Sequence, residues 1–292
     1  MSQQPLISGD WDKVESKKGF FRSFARDWGK VFGGNAFLLL GNMIVFVIAL
    51  CVVMLFLPMV FPVFLPDKLK EYILDTGLVD KALVTDESVN NIYYLMCMIS
   101  SFALCGLGLV TNGPFCSAVS YYFKNVLIGE NDFKADIKKG LKDNWKRSLG
   151  ASVISLIITI ILIYNIGFYQ SGAMWTGVAA MAAKSFFFCL LSFWSCMQLF
   201  VYPLIACVEL TFKEVYKNAA LMTVQNFPIA ILVFVIQLAL FIVLPFLFVF
   251  QFGSTGYAIM VILYLLFSFG FIGYISMYLT WRAIQKVLNS KV

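Results

Sequence analysis

Charge is missing from four long stretches of this chain: between Lys30 and Asp67, between Glu87 and Lys124, between Arg147 and Lys184, and between Lys217 and Arg282. A bilayer core of about 30 Å is crossed by about 20 apolar helical residues at a rise of about 1.5 Å each, so each stretch has room for one or two spans. The composition agrees: 61% of the 292 residues are hydrophobic and 13% charged, where soluble domains carry about 45–50% and about 25%. Six spans are predicted, at 35–65, 91–123, 148–168, 180–208, 227–250 and 257–281, with Pro58, Pro62 and Pro66 closing the first. The tips 169–172 and 251–256 have Gly and small polar residues suited to tight turns.

The predicted fold class is an all-α polytopic membrane protein, one transmembrane domain over 1–292, built as three hairpins. A β-barrel needs alternating apolar and polar positions, whereas 37–57 is apolar on every side. Backbone groups in lipid must also be satisfied within the segment, which favours helices.

Orientation follows from the basic residues, which cytoplasmic loops retain. Six lie in 1–34 and seven from Lys124 to Arg147, with Lys213 and Lys217 before the fifth span and Arg282, Lys286 and Lys291 in the tail. The opposite side holds Lys68, Lys70, Lys81 and Lys184, and its main loop, 66–90, carries six acids. Both termini are therefore expected in the cytoplasm, with the net charge of +6 concentrated on the inner face of a plasma membrane. No cleavable signal sequence is expected, because the residues before the first span are polar and no small-residue cleavage site follows a short apolar core.

Each odd-numbered span is preceded by a basic segment with helical apolar spacing. Phe20, Phe24, Trp28 and Val31 share a face in the first; Phe133, Ile137, Leu141 and Trp145 recur every four residues in the second, 124–147; Phe212, Val215 and Tyr216 recur in the third, 209–226. Such helices rest on membrane lipid, apolar face inward and Lys/Arg toward phosphate, or dock on a partner. Phe133, Ile137, Leu141, Trp145, Phe212 and Tyr216 are the expected docking residues. Nucleic acid is not an expected partner.

The chain has no histidine, which removes the usual general base and the commonest metal ligand. No phosphate-binding Gly-rich loop ending in Lys-Ser/Thr is present, so ATP-driven work would need another subunit. The seven cysteines lie in or beside spans with no Cys-x-x-Cys pair and read as small apolar side chains. No catalytic residue, cofactor or metal site is expected, and the chain is not expected to be an enzyme.

Uncharged polar residues do occur inside spans, among them Asn42, Thr111, Asn112, Ser120, Ser195, Gln198, Gln237 and Ser276. Two readings stand: they bond between helices, or they line a pathway for a polar solute. Gly106, Gly108 and Gly113-Pro114 in the second span, Pro203 in the fourth and Pro245 in the fifth interrupt helices. Broken helices surround binding sites in transporters and also serve simply to fit a bundle. Gly113, Pro114 and Pro203 are expected to shape the bundle, and Gly270, Gly273 and Ser276 form a close-packing seam.

Gly113-Pro114 followed by Ala118, Tyr121-Tyr122 and the basic segment 133–144, with Tyr202-Pro203-Leu204, the run 212–228 and the aromatic-basic stretch 20–40, resembles the YesL family of bacterial membrane proteins. The acidic outer loop looks enlarged relative to that pattern. The resemblance implies company with carbohydrate ABC importers and polysaccharide-degrading enzymes. The expected function is then that of a non-catalytic accessory subunit in a bacterial plasma membrane. It would bind the ABC permease and the ATPase face, with a sugar or oligosaccharide passing through the complex. The alternative is a stand-alone facilitator or channel whose pathway runs past Asn112, Gln198, Pro203 and Gln237.

Overall fold

The computed structural model describes residues 19–77, 84–170 and 176–289, with side chains through residue 285. Its regular elements are helices: α1 (Phe20–Val60), a short 3-10 turn at Pro62–Phe64, α2 (Pro66–Thr76), α3 (Asp86–Gly106), α4 (Gly113–Ile128), α5 (Phe133–Gln170), α6 (Gly177–Cys207), α7 (Phe212–Gln225), α8 (Phe227–Leu238), α9 (Leu244–Leu263) and α10 (Phe269–Asn289). Five helical stretches are long and apolar enough to cross a membrane: α1, α3, α5, α6 and the run Phe227–Gln285.

The last of these folds back on itself. Gly253 leaves helical geometry at φ 53° and ψ −125°, a conformation that a residue without a Cβ adopts readily. Beyond it the chain returns, so that the Tyr264 hydroxyl donates to the Phe241 carbonyl at 2.8 Å and the two rings stack at 5.7 Å. That carbonyl needs the help. Pro245, four residues on, has no N–H to offer it, and a π-turn over Ala239–Val243 takes up the irregularity.

Two expected boundaries are absent. The basic segments ahead of the first and third spans are not separate surface helices, because α1 and α5 run without a break through 34/35 and 147/148. At 41 and 38 residues these helices extend about 60 Å, twice the thickness of a bilayer core. Neither junction has a proline, and at the first the helix-weakening Gly33-Gly34-Asn35 is carried through by tertiary contacts, Gly34 lying against Phe123 and Asn35 being buried. The third segment is different: α7 stands alone, opened by a capping box in which Thr211 and Glu214 satisfy each other's backbone N–H groups and closed at Asn226 just before Pro228.

A third correction concerns the expected second span, 91–123. It is two helices, α3 and α4, separated by non-helical backbone from Leu107 to Asn112. The acidic loop is likewise partly helical: α2 starts at Pro66 and ends at Gly77, whose φ of 61° suits the left-handed stop.

Small residues bring the helices together. A Cβ at Gly140 would lie 2.8 Å from the Ala118 Cα, and one at Gly270 would lie 2.6 Å from the Val31 carbonyl oxygen, so α5 packs on α4 and α10 on α1 backbone to backbone. A π-turn at Tyr264–Ser268 disturbs the helix entering α10. Asn35 of α1, fully buried, stitches it: its Nδ2 donates to the carbonyls of Tyr264 and Leu265 at 3.1 and 2.6 Å, and its Oδ1 accepts from the Gly270 N–H at 2.7 Å. At the basic end of α1 the buried Asp27 pairs with Arg26 at 2.7 Å and Lys30 at 3.6 Å and accepts from the Tyr274 hydroxyl at 3.1 Å.

Replacing Asn35 by Leu strands three backbone groups and is expected to cost on the order of 2–4 kcal/mol. Thermal denaturation in detergent reads this as a lowered midpoint, whereas Asn165→Leu, which removes an exposed contact to Ile161, leaves the midpoint where it was. The second expectation concerns α7. Hydrogen bonds from Thr211 hold the Glu214 carboxyl below the usual range, so the cap is complete above the unfolded value and weakens as pH falls through the folded one. Protection factors of the α7 amides, taken relative to the intrinsic exchange rate at each pH, should therefore fall on acidification, and Glu214→Gln should flatten that dependence.

Candidate functional site: a polar cavity at a helix break

The break between α3 and α4 exposes backbone groups inside an apolar bundle, where each must find a partner. Side chains from four other helices supply them. Gln237 Nε2 donates to the Gly106 carbonyl at 2.9 Å, Ser195 Oγ to that of Leu107 at 2.7 Å, and Ser155 Oγ and Thr159 Oγ1 to that of Leu109 at 3.0 and 3.1 Å. The N–H groups are met as well: Asn112 donates to Asn42 Oδ1 at 2.8 Å and Gly113 to Ser152 Oγ at 2.6 Å. Asn112 Nδ2 reaches back to the Gly41 carbonyl at 2.7 Å.

Beside this break lies a cavity of about 90 Å³. Its polar wall is formed by Gln198, Gln237, Tyr202, Thr111, Asn42 and Ser276, contributed by α1, α6, α8, α10 and the break itself, and every side chain lining it is uncharged. Thr111 and Tyr202 share a short hydroxyl–hydroxyl hydrogen bond. Pro203, one turn beyond Leu199 in α6, cannot donate to the Leu199 carbonyl, and both residues line the cavity.

Gln198 is the exception to the pairing rule. It is 4% exposed, and neither its Oε1 nor its Nε2 bonds to a protein atom; Gln237, 2% exposed, leaves its Oε1 without a protein partner. Leaving a buried amide group unpaired costs about 1–3 kcal/mol; among the described residues the indole N–H groups of Trp194 and Trp281 are the other buried groups in this condition. Gly108 makes the room. Its φ is +72°, and a Cβ there would come within 2.9 Å of the Gln198 Cβ.

Of the pathway residues expected from the sequence, Gln198, Pro203 and Gln237 meet in this cavity, while Asn112 is engaged with Gly41 and Asn42 at its edge. Gly113 and Pro114 open α4 and are buried. The expected docking residues are dispersed. Ile137 is buried, and Phe133 packs edge-on to Tyr122 at 5.1 Å. Leu141 is half-buried against the core, whereas Trp145 is 51% exposed. Phe212 covers Gly150, and Tyr216 stacks on Trp194 at 5.6 Å and donates to the Ala151 carbonyl at 3.2 Å.

Sequence reading missed Ser152, Ser155 and Thr159, which carry the α5 side of the break. The signal was there: with Ser148 they recur at helical spacing as a small polar stripe. Compared with family models, with curated proteins and with solved structures, the chain matches none. The YesL resemblance thus rests on its short motifs alone.

Gly113 gives a test of this architecture. A Cβ there would sit 1.9 Å from the Ser148 carbonyl oxygen, a backbone atom that moves only if α4 and α5 part. Gly113→Ala should abolish the folded, monodisperse peak in detergent size-exclusion chromatography, while Gly33→Ala, with its nearest neighbour at 3.7 Å, should behave as the parent chain.

Proposed function

We propose that this chain is a multi-pass membrane protein that binds a small uncharged polar solute in the cavity beside the α3–α4 break and lets it cross the bilayer. One observation carries the reading: two buried glutamines, whose amides lack a full set of protein partners, line a cavity with no charged side chain in its wall. A charged solute would find no counter-ion there, and burying a bare charge is prohibitive. An apolar solute would leave the amides unpaired. Broken helices flanking a polar site are a transporter device, and here the break, Pro203 and the cavity coincide.

The topology that goes with this reading has six spans, with the run after Phe227 crossing twice about Gly253. Both termini face the cytoplasm of a bacterial plasma membrane. The support is the return of Tyr264 onto Phe241 and the excess of Lys and Arg at one end.

The importer-accessory reading draws on a different observation: Trp145 stands out from α5 beside exposed Lys142 and Lys146, an aromatic-basic surface open to lipid headgroups or to permease and ATPase subunits. Detergent pull-down after cross-linking tests it, with permease subunits expected in the eluate.

Liposomes containing only the purified chain test the main reading. Under an inward gradient of a small neutral solute they should reswell faster than empty liposomes, while trapped potassium and chloride stay put. Equal swelling in both preparations, or ion leakage, would refute it. A cysteine placed at Asp75 should react with an impermeant maleimide added outside whole cells, and labelling only after lysis would invert the topology.

A further inference from the structure

We infer that the side chain of Leu107 is the gate of this protein, closing the barrier between the polar cavity and a second, apolar cavity on the other side of the break. The inference rests on the transport reading above and deepens it by naming where passage is blocked. The second cavity lies toward the acidic end of the bundle, where Val60, Phe61 and Phe64 close α1 ahead of α2, and it is walled by α3, α5 and α6; Ser100 is the one polar side chain in its lining. The polar cavity lies toward the basic end, its wall running along α4 to Ser120 and along α10 to Ser276.

The chain from Leu104 to Leu109 is divided between the two. Leu104 and Leu109 line the apolar cavity, whereas Cys105, Gly106 and Gly108 line the polar one. Leu107 alone lines both. A single thickness of backbone therefore partitions the bundle here, and the glycines at 106 and 108 add no side chain to it.

That backbone is held on both sides. The Gly106, Leu107 and Leu109 carbonyls accept from Gln237, Ser195 and the Ser155–Thr159 pair, while the Leu107 and Leu109 N–H groups donate to the Ala103 and Leu104 carbonyls at 2.7 and 3.0 Å. The Leu107 side chain is held by apolar contact alone. It is 8% exposed, so in this conformation the passage is shut, and a change of rotamer moves it without breaking a hydrogen bond. An apolar constriction also stays dry and so keeps ions back, which suits a path for neutral solutes.

Reswelling of liposomes in a neutral solute, with trapped potassium and chloride followed in parallel, tests the gate. Leu107→Ala should speed reswelling at least about threefold over the parent chain, and Leu107→Trp should slow it toward empty liposomes, the ions staying inside in both cases. Leu104→Ala, which alters the apolar cavity only, should match the parent. A side chain that merely fills the core would not give faster neutral flux on removal with the ions still held. Unchanged flux in Leu107→Ala, or ions escaping with the solute, would overturn the assignment.

Should Leu107→Ala fail to fold, Ser195→Ala probes the same partition. Loss of the hydroxyl that pins the Leu107 carbonyl should raise neutral flux, whereas Ser192→Ala, whose hydroxyl bonds within its own helix to Phe188 at 3.0 Å, should not; equal flux in the two would overturn the gate. The two readings fail separately. Parent flux unaltered by these variants sinks the gate alone, no flux from any chain sinks transport and the gate with it, and flux from Leu107→Ala but not from the parent supports a gate shut at rest.

Discussion

Non-helical backbone inside an apolar bundle is the constraint on which the rest of this structure turns. From Leu107 to Asn112 the chain leaves the helix; the N–H groups of Leu107 to Val110 still find carbonyls at the end of α3, and the freed carbonyls and the Asn112 and Gly113 N–H groups, without water to fall back on, are met by side chains. Asn42, Ser152, Ser155, Thr159, Ser195 and Gln237 all face the break for that reason. Their positions fix the register of α1, α5, α6 and α8 around α3 and α4 more sharply than apolar contacts can, because lipid tails solvate Leu and Phe as well as neighbouring helices do. Gln198 stands among them with no protein partner for its amide.

The same rule operates twice more. Pro245 deprives the Phe241 carbonyl of its donor and Tyr264 replaces it across the fold-back; the π-turn at Tyr264–Ser268 strands carbonyls and Asn35 collects them. Each of these two irregularities is met by one polar side chain from a distant part of the chain. Close approach makes this possible, and glycine permits it where backbone meets backbone, at Gly113 on Ser148 and Gly270 on Val31.

Much of this was legible in the residues. The charge-free runs announce an all-helical membrane protein, Gly106, Gly108 and Gly113-Pro114 announce an interruption, and the Gly270–Gly273 seam finds its neighbours in α1 and α4. Two things were not legible. Apolar periodicity over Phe133 to Trp145 suggests a surface helix, yet the inward face of α5 there is Asp136, Ile137, Gly140 and Asn144, since close packing selects small and paired polar residues over greasy ones. And a polar residue inside a span looks the same whether it closes a backbone gap, as Ser195 does, or faces a cavity, as Gln198 does.

What the sequence determined by itself is therefore the class of fold and where its helices falter, because hydropathy, proline and glycine act locally through desolvation and backbone geometry. Which polar side chains close the break and which are left without a protein partner was decided only by tertiary structure. Gln198 and Gln237 are 39 residues apart in sequence from one another, and they share a cavity only because α6 and α8 both close on the same interrupted helix. Pairing at that distance depends on the three-dimensional count of donors and acceptors, which no local pattern contains.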